Sequence, residues 1–148
     1  MNLIGRTALI TGAGQGIGQA CAEVFAERGA NLVLMDKNKR TLPKVADQIT
    51  EKGGHVKAIL IDLTHHRKLH KIIDVVKSQA HIDILVNNAG FDRPGTTMKI
   101  GKEQFNAVLG IHVGVPFFLI KSFIQEMRAA RWGRIINISS IYGVQGAK

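Results

Sequence analysis

Five short apolar runs, each followed by a helix-length stretch except the last, constrain this chain more than any other feature. They read Thr7–Thr11, Asn31–Asp36, Val56–Asp62, Ile82–Asn87 and Arg134–Ser139. Nearly continuous apolar character is what a strand buried on both faces requires. The stretches between them show helical spacing. Gly16 to Arg28 places Ile17, Cys21, Val24 and Phe25 on one side, and Leu42 to Lys52 does so with Val45, Ala46 and Ile49. Thr64 is positioned to cap a third helix running to about Ala80, and a fourth runs from Lys102 to about Arg131 with Pro116 as a kink or cap. Strands separated by helices pair in parallel through right-handed crossovers. The pattern therefore predicts an α/β doubly wound parallel sheet, a Rossmann fold in three α/β/α layers with strand order 3-2-1-4-5. The whole of 1–148 is read as one domain that stops soon after its fifth strand. Ligands of such a sheet bind at the carboxyl ends of its strands.

Those ends carry the informative residues. Thr11-Gly12-Ala13-Gly14-Gln15-Gly16-Ile17-Gly18 joins the first strand directly to the first helix. A glycine-rich turn lets backbone approach a phosphate, and the positive end of the helix holds the anion. The segment reads as a dinucleotide pyrophosphate site. Asp36 ends the second strand, where a carboxylate can accept hydrogen bonds from adenosine ribose hydroxyls and repel a 2′-phosphate. That favours NAD over NADP as cofactor, although Lys37 and Arg40 lie close enough to soften the discrimination. Asp36 also reads as an ordinary strand-end turn residue or helix cap. Asn87-Asn88-Ala89-Gly90 ends the fourth strand, where its amides can tie strands together, though the string alone is a turn signal. Asn137-Ile138-Ser139-Ser140 ends the fifth and would aim a serine into the same crevice.

Taken together with Asp62-Leu63, these motifs resemble the short-chain dehydrogenase/reductase family in order and spacing, from Leu3 to the last residue. The pattern is nearest to the 3-oxoacyl-acyl-carrier-protein reductase and sugar or polyol dehydrogenase branches. The resemblance implies an NAD(P)-dependent oxidoreductase that moves a hydride between nicotinamide and a carbonyl/alcohol substrate. It also implies that Gly12, Gln15, Gly16, Ile17 and Gly18 form the pyrophosphate turn. Asp62 and Leu63 would flank the adenine, and Asn88, Ala89 and Gly90 would pass its ribose. Ser140 matches the family's catalytic serine. His112 stands where the family carries a catalytic asparagine that helps hold a water; histidine could do the same and titrates near neutrality. It reads equally as a helix histidine satisfied by a backbone carbonyl. The family's general acid/base is a tyrosine with a lysine four residues on, and their expected place is beyond Lys148. Tyr142 is no substitute, being followed at the fourth position by Gly146 and only at the sixth by Lys148. The alternative is an inactive dinucleotide-binding or scaffold protein.

Composition narrows the partners. The net charge is +9, from 20 Lys and Arg against 11 Asp and Glu. The cations are scattered over polar helix faces and are densest at His65-His66-Arg67-Lys68-Leu69-His70-Lys71. No aromatics interleave them, so no nucleic-acid partner is expected. His66 and His70 share a helix face but have no acidic or cysteine co-ligand, so no metal site is read there. Cys21 is the only cysteine, which excludes an intrachain disulfide and fits a cytoplasmic setting. Met1–Arg6 is too short for a signal peptide's apolar region. The apolar stretch Val113–Ile120 is broken by Gly114 and Pro116 and falls short of the about 20 residues of a membrane helix. The family resemblance implies a small-molecule substrate and further copies of the chain as partners, the latter associating partly through the long helix Lys102 to Arg131. Ile135, Ile136 and Ile138 flank an unpaired edge of the fifth strand, a site of association or aggregation.

Overall fold

A computed structural model of the chain describes residues 2–92, 95–96, 98–141 and 145, without the side chains of 66–68. Its elements in chain order are β1 (Thr7–Thr11), α1 (Gly16–Glu27), β2 (Asn31–Asp36), α2 (Thr41–Glu51), β3 (Val56–Leu60), α3 (His66–Lys77) and β4 (Ile84–Asn87). Then follow α4 (Lys102–Leu109), a π-helical turn (Gly110–Gly114), α5 (Val115–Ala129) and β5 (Arg134–Asn137). The strands form one parallel sheet in the order β3-β2-β1-β4-β5, the predicted Rossmann arrangement. The chain winds outward from β1 to β3, then returns to start again on the far side of β1. That reversal opens a crevice between the carboxyl ends of β1 and β4.

Side chains alternate across the sheet and meet helices on both faces. Leu9, Val33 and Leu85 pack with Leu69, Ile73, Leu119 and Phe123 of α3 and α5. Ala8, Ile10, Leu34 and Val86 pack with Ala22 of α1 and Val45 and Ile49 of α2. At the amino ends the buried Asp83 accepts the Thr7 amide at 2.9 Å and the Arg6 guanidinium at 2.8 Å, fastening β1 to β4 below the crevice.

Three expectations need correction. Helix α3 begins at His66, not at Thr64, and no side chain caps it. The Thr64 hydroxyl instead donates to Asp62 Oδ1 at 2.7 Å, closing a turn at the end of β3. The strand readings that ran to Asp62 and Ser139 end earlier, at Leu60 and Asn137. The long fourth helix contains a π turn over Gly110–Gly114, immediately before Pro116. Proline has no N–H for the carbonyl four residues back, which is His112, and its ring crowds that oxygen; a widened turn relieves both. The run Lys102–Ala129 nevertheless stays helical throughout, so by length and composition alone it could cross a membrane, which the reading of Val113–Ile120 had placed out of reach. Its Val115, Leu119, Phe123 and Met127 are buried against the sheet.

Among the described residues no group of His, Cys, Asp or Glu is arranged to hold a metal. The His70 ring packs edge-on against Phe118, with centroids 5.3 Å apart. The side chain of His66, and Tyr142, Gly143, Gly146 and Lys148, lie outside the described residues.

Candidate functional site

The turn after β1 works because its glycines do different jobs. Gly12 sits at φ +64°, and a Cβ there would lie 2.9 Å from the Ala89 Cα. Gly16, at φ +57°, has open space around it, so its backbone angle is the reason for glycine. Gly18 has no left-handed backbone angle, so contact alone demands glycine there. A Cβ on it would strike the Gly12 carbonyl and come within 2.6 Å of Asn88 Nδ2, so its role is to let α1 lie directly on the turn. Helix α1 starts from an extended Gln15 and has no side-chain cap. The first amides of a helix have no intrahelical acceptor, and here no side chain takes them.

The opposite wall is tied to this turn. The Thr11 hydroxyl accepts the amides of Asn88 and Ala89, both at 3.0 Å, and donates to Val86 O at 3.2 Å. Asn88 Nδ2 donates back to Thr11 O at 3.0 Å and Gly12 O at 3.1 Å. The amides at the end of β4 therefore do hold two strands together. Asn87 extends the tie to β5, donating from Nδ2 to Asn137 Oδ1 at 2.8 Å.

Between these walls lies a cavity of about 480 Å3 at the carboxyl ends of the strands. Of the residues expected to contact a cofactor, Gly12, Gln15, Gly16, Ile17, Asp36, Asp62, Leu63, Asn88, Ala89 and Gly90 line it together. Gly18 does not; it supports from behind. Asp36 acts as the strand-end turn residue that one of its readings describes. It faces the cavity, and its two oxygens accept the amides of Gly14 at 2.9 Å and Asn38 at 2.8 Å. Partial burial pushes the Asp62 carboxyl pKa up. The hydroxyl and amide of Thr64 and the charges of Lys37 and His65 more than reverse this, leaving it below the ordinary value of 3.8.

Five further lining residues, Asn38, Ile61, Thr64, Phe91 and Ile111, were not anticipated, and Lys37 was noticed only as a charge. The Asp-x-Thr spacing could have flagged Thr64 as a turn partner of Asp62. Nothing in the sequence marks Ile111, because only the bend of the chain between α4 and α5 brings it to the cavity.

The two candidate catalytic residues lie outside that lining. Ser140 is exposed just past the end of β5. His112 is exposed at the centre of the π turn, and its Nε2 lies 3.0 Å from the Phe91 carbonyl. A carbonyl oxygen only accepts, so Nε2 carries the proton and, in the neutral ring, Nδ1 keeps a lone pair. The same ring fills the space that a Cβ on Gly90 would need.

Comparison with known proteins bears on this site. A profile of the family described as short chain dehydrogenase matches residues 6–148. The 3-oxoacyl-[acyl-carrier-protein] reductase FabG of Escherichia coli K12 is 32% identical over 147 residues, covering 99% of this chain and 59% of the reductase. A metagenomic short-chain oxidoreductase in complex with NADP superposes with TM-score 0.91 at 32% identity, over 98% of this chain and 66% of that one. A 3-oxoacyl (acyl-carrier-protein) reductase from Agrobacterium tumefaciens C58 with NADP bound gives TM-score 0.92 at 30% identity, over 99% and 57%. This chain thus spans about 59% of the curated reductase it matches. Both solved relatives carry NADP, so they lend no support to the expected preference for NAD.

Proposed function

The chain belongs to the short-chain dehydrogenases, and on that premise we propose that its cavity binds a nicotinamide dinucleotide in the service of an oxidoreductase acting on a carbonyl/alcohol pair. The observation that carries this reading is the glycine cradle: Gly12 and Gly18 cannot bear a Cβ, and the helix they introduce is uncapped where it meets the cavity. Such a turn admits a pyrophosphate to van der Waals contact with backbone, and the amide dipoles of α1 offset its charge. In this reading Gly12, Gln15, Gly16 and Ile17 hold the pyrophosphate, and Gly18 fixes the angle of α1. Asp62 and Leu63 flank the adenine, while Asn88, Ala89 and Gly90 pass the ribose.

Asp36 favours NAD, because its carboxylate is held in place by two amides and would lie against a 2′-phosphate. The rival, NADP, is favoured by the NADP-bound relatives and by Lys37 on the same wall. Calorimetric titration of the chain with each dinucleotide decides between them. Tighter binding of NAD, reversed by Asp36→Ala, is the expected result. Tighter binding of NADP by the unaltered chain removes the role given to Asp36, and binding of neither removes the dinucleotide reading.

When bound, the nicotinamide supplies the hydride chemistry. We assign Ser140 to hydrogen-bond the substrate oxygen and His112 to hold a water through Nδ1, its Nε2–H being committed to Phe91. The family's tyrosine and lysine are expected past Lys148, and proton delivery of that type contributes about 10²–10⁴-fold. Self-association through Phe105, Leu109, Val113 and Phe117, exposed at four-residue intervals along α4, the π turn and α5, is read as a homo-oligomer contact. Sedimentation of Val113→Lys against the unaltered chain tests it. A cytoplasmic setting remains the reading for a chain whose single cysteine lies half-buried in α1.

A further inference from the structure

Phe91 and Lys37 approach each other across the crevice. Phe91 follows β4 and Lys37 follows β2, so the two come from opposite sides of the point where the winding reverses. Lys37 Nζ lies over the Phe91 ring, 5.8 Å from its centroid, and both residues line the cavity. Lys37 also faces the Asp62 carboxyl closely enough to influence its ionisation. The pair therefore stands at the Asp36–Asp62 end of the cavity.

The Phe91 backbone is held from behind. His112 Nε2–H reaches its carbonyl at 3.0 Å, and the imidazole occupies the room beside Gly90. A half-buried ring on an anchored backbone, with a cation above one face and a cavity beneath the cation, is an aromatic platform.

We propose that Phe91 is a base-stacking residue of the dinucleotide cavity, its ring taking the adenine while Lys37 closes over the opposite face of the base. The proposal rests on the dinucleotide reading above. A flat base between ring and ammonium needs two contacts of about 3.5 Å, or about 7 Å in all. The observed 5.8 Å falls short of this by about 1 Å, a displacement within easy reach of a lysine on its flexible four-carbon stem. The Phe91 backbone is anchored through its carbonyl, whereas among the described residues no hydrogen bond or ion pair holds the Lys37 ammonium, so Lys37 is the side that yields. Stacking on a π face needs no particular hydrogen-bond pattern from the base, and the cation on the far side adds its own attraction.

The test is equilibrium titration of the chain with NADH and, separately, with ADP, which carries the adenine and lacks the nicotinamide. The variants are Phe91→Tyr, which keeps the ring, and Phe91→Leu, which keeps apolar bulk without it; Phe91→Ile replaces the latter should it fail to fold, as judged by thermal melting. Phe91→Tyr is expected to bind both ligands within about two-fold of the unaltered chain. The aliphatic variant is expected to weaken both by at least about five-fold. Unchanged binding of both ligands by the aliphatic variant overturns the proposal while the dinucleotide reading stands. A loss confined to NADH moves the contact to the nicotinamide end and overturns the adenine assignment. Failure of the unaltered chain to bind either ligand overturns the dinucleotide reading and this proposal with it.

Discussion

The side-chain nitrogen of Asn88 bridges two successive carbonyls of the facing strand end, Thr11 O at 3.0 Å and Gly12 O at 3.1 Å. One amide thus joins the two halves of the sheet where the winding reverses, and it fixes the depth at which the glycine turn sits. Asn88→Ala removes both bonds and is expected to cost about 1–2 kcal/mol. Asn88→Asp should cost more, because a carboxylate only accepts and would face two carbonyl oxygens. Denaturant unfolding of the three proteins checks this; equal stability of the two variants would contradict it.

Gly16 and Gly18 should respond to alanine in opposite degrees. At Gly16 a methyl meets nothing, so only the backbone at φ +57° resists, at about 1–2 kcal/mol. At Gly18 the methyl meets the Gly12 carbonyl and the Asn88 amide, neither of which can move without breaking the tie between β1 and β4. Gly18→Ala is expected to lower the melting temperature further and to reduce dinucleotide binding more than Gly16→Ala does. The reverse ranking would show that the turn and α1 are not packed as described.

Asp62 gives the chain an acid-sensitive contribution. Its pKa lies below 3.8 in the folded state, so the stabilisation is fully present above that value. It is lost as the pH falls through the lowered folded value, where the carboxylate that accepts from Thr64 becomes protonated. Asp62→Asn should therefore flatten the decline in stability between about pH 5 and about pH 3. Urea midpoints at both ends of that window measure the effect. A variant that declines as steeply as the unaltered chain places the acid sensitivity elsewhere.

Arg131 closes α5 in a left-handed conformation, at φ 50°, with its amide on Arg128 O at 3.0 Å and the Trp132 amide on Met127 O at 3.1 Å. A helix ended in this way prefers glycine at the left-handed position. Arg131→Gly is expected to stabilise the protein by up to about 1 kcal/mol, because the Cβ strain disappears while both bonds remain. Calorimetric melting reads the change, and a lowered melting temperature would mean that the arginine side chain contributes more than its backbone costs.

How far these relationships could be read in advance differs by residue. The strand order and the cavity residues at the strand ends, such as Gly12, Asp36 and Asn88, were legible because local signals coincide with global ones. An apolar run that ends in Asp36, or in Asn87-Asn88, marks the carboxyl end of a strand, and the winding rule carries every such end to one edge of the sheet. Gly18 was legible as part of a motif but not in its role, since contact with Gly12 and Asn88 depends on the angle of a whole helix. Thr64 was misread as a helix cap because an N-cap and an Asx-type turn use the same residues, and the choice lies in where the following helix begins. The π turn escaped notice for a related reason. Pro116 announces a disturbance but not its form.

The sequence by itself determined the doubly wound sheet, the glycine cradle and the acidic strand ends, because periodicity, turn chemistry and crossover handedness act within a few residues of one another. Only the tertiary structure decided that Phe91 faces Lys37 and that His112 grips the carbonyl of Phe91. Those pairs lie 54 and 21 positions apart along the chain. Their meeting depends on how helices settle on the sheet, and packing of that kind is an outcome of the whole core rather than of any short stretch.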